Sequence, residues 1–327
     1  RCRLVGSEMC IRDRYKCNLL ILLLMGQNNI RWLIYPWLIV VFFFLSCEKK
    51  NSEIDYPIEI SNTLDEAKAL FDKEMYDGAI LLYNKALALN SNPKIQLRIL
   101  QSKGLAFCYL DALDSSIITL SLADSLAKKQ KNLEAIKEIN LNLSSSYLSK
   151  GDYLSSIEKL KTCQKYSEAL NDSLILGYVL LNQASIYSDK GAYDLASEYA
   201  FKSLRILDKF ENNKYQTAAT NLVGTINFEL QDYKTAIEYY KKSLQDRKEL
   251  DYAYGIAGSY NNLGNVYKAM ASYDTAMLYF DSSLVIKDTL GIEVYSATTT
   301  SNIGEIYLGL KKLRKALEYY KLSLIHI

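Results

Sequence analysis

From about residue 60 onward, small and large apolar positions recur with a helical step inside each segment and a fixed period between segments. A small residue stands at Ala67, Gly104, Ser144, Ala184, Gly224, Gly264 and Gly304, spaced by 37 residues once and then by 40 five times running. Three residues after this marker a large side chain follows: Leu70, Phe107, Tyr147, Tyr187, Tyr267 and Tyr307, with Asn227 the one departure. Twelve on, the residue is small (Ala79, Ser116, Ser156, Ala196, Ala236, Ala276, Ala316). Sixteen on come Tyr83, Leu120, Leu160, Ala200, Tyr240, Phe280 and Tyr320, and nineteen on Ala86, Ala123, Cys163, Ser203, Ser243, Ser283 and Ser323. Steps of three, four and seven put such residues on one face of a helix. Each period therefore predicts two helices, joined by turns such as Lys150-Gly151-Asp152-Tyr153.

A hairpin of this kind cannot bury its apolar face alone, and stacked neighbours complete the core. The marker predicts a close approach of two helix backbones, with the large residues filling the gap on either side. The expectation is an all-α chain of about seven stacked hairpins. Proline occurs only at positions 36, 57 and 93, so nothing after residue 93 interrupts the helices in that way. The 27 tyrosines are read as core and as a turn position at Tyr76, Tyr153, Tyr193, Tyr233 and Tyr273.

Charged residues are 23% of the chain and the hydrophobic set 49%, the balance of an ordinary folded protein. The net charge is +2 with no block of one sign, which gives no footprint for nucleic acid. Catalytic and metal-binding patterns are absent from the sequence: there is no Gly-rich phosphate loop, no Gly-x-Ser-x-Gly and no ligand-like Cys/His spacing. Cys108 and Cys163 fall in different repeats and are expected to be buried structural thiols. No catalytic residue, metal or cofactor is assigned.

The seven-fold register resembles the tetratricopeptide repeat, in the long-helix variant whose period is 40 residues. The extra length beyond the usual repeat is expected to extend both helices. The resemblance spans residues 60–325, as repeats 60–93, 97–130, 137–170, 177–210, 217–250, 257–290 and a truncated 297–325. It implies a right-handed superhelical solenoid whose concave wall is lined by the first helix of each hairpin. It is also similar to the extracytoplasmic repeats of Bacteroidota sensor proteins.

Near the marker, asparagine recurs at Asn142, Asn182, Asn262 and Asn302, with Asn221 and Asn261 one place earlier. A carboxamide offers donors and an acceptor, and so can hold both N–H and C=O of a peptide backbone. The resemblance implies that role here, in a groove for an extended peptide. The alternative is that these amides bond to the neighbouring helix and stiffen the stack. Further wall positions (Arg98, Tyr178, Asp189, Glu229, Lys268 and Glu305 among them) look polar and modestly acidic, suited to a neutral or weakly basic peptide.

Both ends carry other signals. Residues 6–14 and the closing Ser-Leu-Ile-His-Ile resemble translated adapter sequence, so residues 1–24 and His326 are set apart from the native fold. Met25 is the expected start, followed by Arg31, an apolar run from Leu33 to Leu45, and Ser46-Cys47. That run is short for a membrane span and reads as a signal peptide over 25–47. Phe44-Leu45-Ser46-Cys47 resembles a lipobox, with Cys47 lipidated and residues 48–59 a tether. The last hairpin stops within its second helix, so the natural protein is expected to continue.

Together these observations predict a protein- or peptide-binding module at the cell envelope, lipid-anchored, its repeats in the periplasm or at the surface. It would be the sensory or adaptor part of a larger signalling protein, and not an enzyme. The alternatives are a self-contained lipoprotein scaffold in envelope assembly and a glycan-binding lipoprotein.

Overall fold

The structure is a computed structural model that describes residues 57–211, 213–290 and 293–325. The adapter-like segment, the signal region with Cys47, most of the tether and His326 lie outside the described residues. No described helix is long and apolar enough to cross a membrane.

Fourteen α-helices make up the described residues, with no strand among them. In chain order they are α1 (Ile58–Asp72), α2 (Tyr76–Leu89), α3 (Pro93–Tyr109), α4 (Leu113–Lys129), α5 (Leu133–Ser149), α6 (Tyr153–Ala169) and α7 (Ser173–Asp189). There follow α8 (Tyr193–Leu207), α9 (Lys214–Glu229), α10 (Tyr233–Glu249), α11 (Ala253–Ala269), α12 (Tyr273–Leu290), α13 (Glu293–Gly309) and α14 (Leu313–Ile325). They pair as seven helix–turn–helix hairpins, and the all-α repeat fold is the one the periodicity predicts. The chain divides into two compact units, Arg1–Thr162 and Cys163–Ile327.

Local sequence sets the boundaries. Asn92, Asn132, Asp172 and Asp232 cap α3, α5, α7 and α10 by accepting backbone N–H groups, and Pro93 opens α3 where its missing N–H costs nothing. The tyrosines expected in turns (Tyr76, Tyr153, Tyr193, Tyr233, Tyr273) are instead the first residues of second helices. The tight turns need a left-handed residue; Gly151 (φ 80°) and Gly191 (φ 72°) supply it in two places, and residues such as Asn171 and Asp251 do so elsewhere.

At the marker glycines what comes closest is a side chain from the partner helix, and at Gly104 the Leu120 backbone N also lies 3.4 Å from an added Cβ. A Cβ at Gly264 would lie 2.5 Å from Phe280, one at Gly224 2.8 Å from Tyr240, and one at Gly104 2.6 Å from Leu120. Each of these glycines is a socket for the residue sixteen positions on.

The small positions twelve and nineteen after the marker also carry polar bonds, and the two units place them differently. In the first unit, Ser116 Oγ donates to the Gly104 carbonyl at 2.7 Å and Ser156 Oγ to that of Ser144 at 2.9 Å. In the second, Ser203, Ser243 and Ser283 donate to the carbonyls of Gly177, Thr217 and Ala257 at 2.7, 2.8 and 2.9 Å. Each bond ties the two helices of a hairpin through the backbone. Tyr187–Tyr199, Tyr267–Tyr279 and Tyr307–Tyr319 pair within hairpins with ring centroids 5.2–5.4 Å apart.

Candidate functional site

In the second unit, first helices of successive hairpins lie side by side, α7 beside α9, α9 beside α11 and α11 beside α13. Their shared face carries most of the asparagines singled out from the sequence. Asn182, on α7, is half-buried and makes no side-chain hydrogen bond to a described residue. Asn221 and Asn262, from α9 and α11, meet: Asn262 Nδ2 donates to Asn221 Oδ1 at 3.1 Å. Asn261 Oδ1 accepts from Thr299 Oγ1 of α13 at 2.8 Å, and Asn302 Oδ1 accepts from Lys268 Nζ at 2.8 Å. In the first unit, Asn142 on α5 is half-buried with its amide similarly unengaged.

The two readings of these asparagines thus divide by residue. Asn221, Asn261, Asn262 and Asn302 each bond to a neighbouring first helix, whereas Asn142 and Asn182 present open amides. The bonded ones are not exhausted, because cations fix which end of each amide faces the protein.

Arg247, on α10, reaches between α9 and α11. Its Nε donates to Thr217 Oγ1 at 3.4 Å; its Nη1 donates to Asn221 Oδ1 at 3.4 Å, to the Gly255 carbonyl at 2.8 Å and to Ser259 Oγ at 2.8 Å. A guanidinium only donates, so the Asn221 atom facing it is oxygen. The Asn262 group facing that oxygen is then the NH2. Asn221 Nδ2 and Asn262 Oδ1 remain as an adjacent donor and acceptor without a described partner. Lys287 on α12 repeats the device one period later: its Nζ donates to Thr299 Oγ1 at 2.6 Å, which turns the threonine proton toward Asn261 Oδ1. Lys268 holds the Asn302 oxygen in the same way and also pairs with Glu305 at 2.6 Å.

Burial weighs on both core cations. It pushes the Arg247 guanidinium down to about 10 and the Lys287 ammonium down to about 8. Both belong to second helices, twenty-three residues after the marker, where the earlier hairpins carry Ala127, Ser167 and Leu207. Reading the first helices alone passed over them; the signal was a cation at a position otherwise filled by small or apolar residues. Of the other wall positions, Tyr178 is 2% exposed and packs on Tyr215, so it belongs to the core. Cys163 is buried as expected, but Cys108 is only half-buried.

The first unit offers a different surface. Between α1 and α3 a cavity of about 390 Å³ is lined by Asp65, Lys68, Arg98 and Ser102, with Tyr83 and Phe71 among its apolar walls. Its charges are mixed and favour no one class of ligand.

Fold and face together define a helical-repeat architecture. Comparison with known proteins agrees at the level of fold. Residues 215–289 and 301–324 each match the tetratricopeptide repeat family. The apo form of RapI superposes with a TM-score of 0.70 at 14% identity, covering 82% of this chain and 97% of that one. A Rap protein complexed with competence and sporulation factor gives 0.61 at 18% identity over 82% and 76%. The apo quorum sensor NprR from B. thuringiensis gives 0.62 at 16% identity over 88% and 92%. No curated protein matches the sequence. Residues 215–289 and 301–324 thus carry tetratricopeptide repeats, and the other described hairpins share their fold.

Proposed function

We propose that the second unit binds an extended peptide along the first-helix face, through main-chain hydrogen bonds to its asparagine amides. The observation that carries this is the Asn221–Asn262 pair, which presents one donor and one acceptor in fixed orientation, as a peptide unit requires. Asn182 adds a second open amide on α7, and Asn302 keeps its Nδ2 to donate. The structural neighbours that are a quorum sensor, or are complexed with a signalling factor, support a ligand-sensing role for the fold. The protein acts by binding, without catalysis, as a sensory or adaptor module. The lipobox-like Phe44-Leu45-Ser46-Cys47 supports a lipid anchor at the cell envelope.

Two experiments test this reading. Peptides selected on the full chain from a random display library should bind wild type, and lose about tenfold in affinity when Asn182 and Asn262 are both changed to alanine, for two net hydrogen bonds of about 0.5–1.5 kcal/mol each. Unaltered affinity, with a lowered unfolding midpoint, would make the amides structural only. Radiolabelled palmitate should enter the wild-type protein in cells and fail to enter Cys47→Ser; equal labelling removes the anchor.

A further inference from the structure

The Arg247 guanidinium is a buried charge without a counter-charge. The residue is 7% exposed, and no carboxylate pairs with it among the described residues. Its four bonds go to neutral oxygens: two hydroxyls, one amide and one main-chain carbonyl. Burying an unpaired ion costs several kcal/mol even after relaxation, so such charges are normally paired or face a ligand.

The repeat provides its own control for packing. At the matching place one period earlier stands Leu207, 0% exposed, and two periods before that Ala127, also 0% exposed. The hairpin contact is thus made without a cation elsewhere in this chain, and packing alone does not account for arginine at 247.

The guanidinium is also approachable. Nη2 takes part in none of the four bonds, and it is not among the sealed polar atoms left without a partner. Beside it, α11 carries Gly258 at a first-helix position that holds Arg98, Glu138, Tyr178, Ala218 and Thr298 in other repeats. A Cβ built on Gly258 would have a single neighbour within 4 Å, Arg247 Nη1 at 3.8 Å. The missing side chain leaves open space whose border is the cation.

We infer that Arg247, reached over Gly258, is a recognition site for a carboxylate of the bound ligand, either an acidic side chain or a C-terminus. This rests on, and deepens, the peptide-binding reading: the same guanidinium that orients Asn221 would select an acidic group next to the amide pair. An end-on carboxylate suits the planar guanidinium, whose N–H groups lie in one fork. It also reverses the preference for a neutral or basic peptide drawn from the sequence, where only the first helices were considered.

The test uses the ¹⁵N-labelled full chain and two kinds of probe. Sodium acetate is titrated against sodium chloride at matched ionic strength, following the Gly258 amide and the Arg247 Nε–H. Acetyl-tetraalanine is then compared with its C-terminal amide. Acetate should shift both resonances saturably where chloride does not, and the peptide acid should bind at least tenfold more tightly than the amide. Both effects should be lost in Arg247→Met, which copies the apolar character found at Leu207. In Gly258→Glu, the built-in carboxylate should bring the Arg247 resonance to its acetate-bound position without any acetate, and abolish the acid–amide difference. Equal response to chloride, or acetate binding kept in Arg247→Met, overturns the carboxylate site. Equal binding of acid and amide overturns it while leaving the peptide reading in place. Acetate binding without binding of either peptide keeps the site and removes the peptide reading.

Discussion

The two units both bury charges and treat them differently. In the first unit, Asp124 on α4 is 7% exposed, accepts Asn140 Nδ2 at 2.7 Å from α5, and pairs with Lys128 at 2.6 Å. Lys137 in the same unit is 2% exposed and paired with Glu134. In the second unit, Arg247 meets only neutral oxygens. A charge with its partner in place closes a hairpin contact and has nothing left to offer. A charge held by neutral groups keeps its field for something else, and here it also sets the polarity of the asparagines beside it. The serine ties differ in parallel: twelve residues after the marker in the first unit, nineteen in the second.

The sharpest disturbance should come from the sockets, which both units share. Gly264→Ala places a Cβ 2.5 Å from the fully buried Phe280 ring. Overpacking of this sort costs about 1–3 kcal/mol, and urea denaturation of the full chain should show that loss with an unchanged m-value.

Breaking the charges should then separate the units. Asn140→Ala leaves a buried carboxylate short of its short 2.7 Å bond and should destabilise by about 1–3 kcal/mol. Arg247→Met removes a desolvated charge along with its bonds, and should stay within about 1 kcal/mol of wild type, since replacing a buried charge by an apolar side chain is often neutral or better. Comparable large losses in both variants would dissolve the distinction.

Smaller effects test the serine ties. Ser156→Ala and Ser243→Ala should each cost about 1 kcal/mol, one in each unit, and by similar amounts if the tie is equivalent in its two positions. Chemical denaturation measures both.

The smallest expected effect is in pH. Lys287 has its pKa lowered by burial from 10.5 to about 8. Between those values the unfolded chain binds a proton that the folded chain does not, so this group makes stability rise with pH across that window and penalises folding below it. The wild-type unfolding midpoint should gain on that of Lys287→Met as pH goes from about 8 to about 10; a constant difference contradicts the shift.

Much of this fold could be read from the sequence because its logic is periodic. The marker at Gly104, Gly224, Gly264 and Gly304, with Leu120, Tyr240, Phe280 and Tyr320 sixteen residues on, fixes helix pairing without any other knowledge. What the periodicity hid was chemistry at positions classed only by size. Ser203 and Ala123 both count as small, but only the serine hydroxyl ties a hairpin to a carbonyl. The asparagine file was visible, yet which end of the Asn221, Asn261, Asn262 and Asn302 amides faces outward depends on Arg247, Lys268 and Lys287. Arg247 and Lys287 lie on the other helix of the hairpin, where a first-helix reading does not look.

The most direct measurement is a crystal structure of the full chain with a peptide selected on it. The account predicts the peptide main chain on the first-helix face of the second unit, with a carbonyl about 3 Å from Asn221 Nδ2 and an N–H about 3 Å from Asn262 Oδ1. A peptide seated on the second helices, with both amides facing solvent, would contradict it.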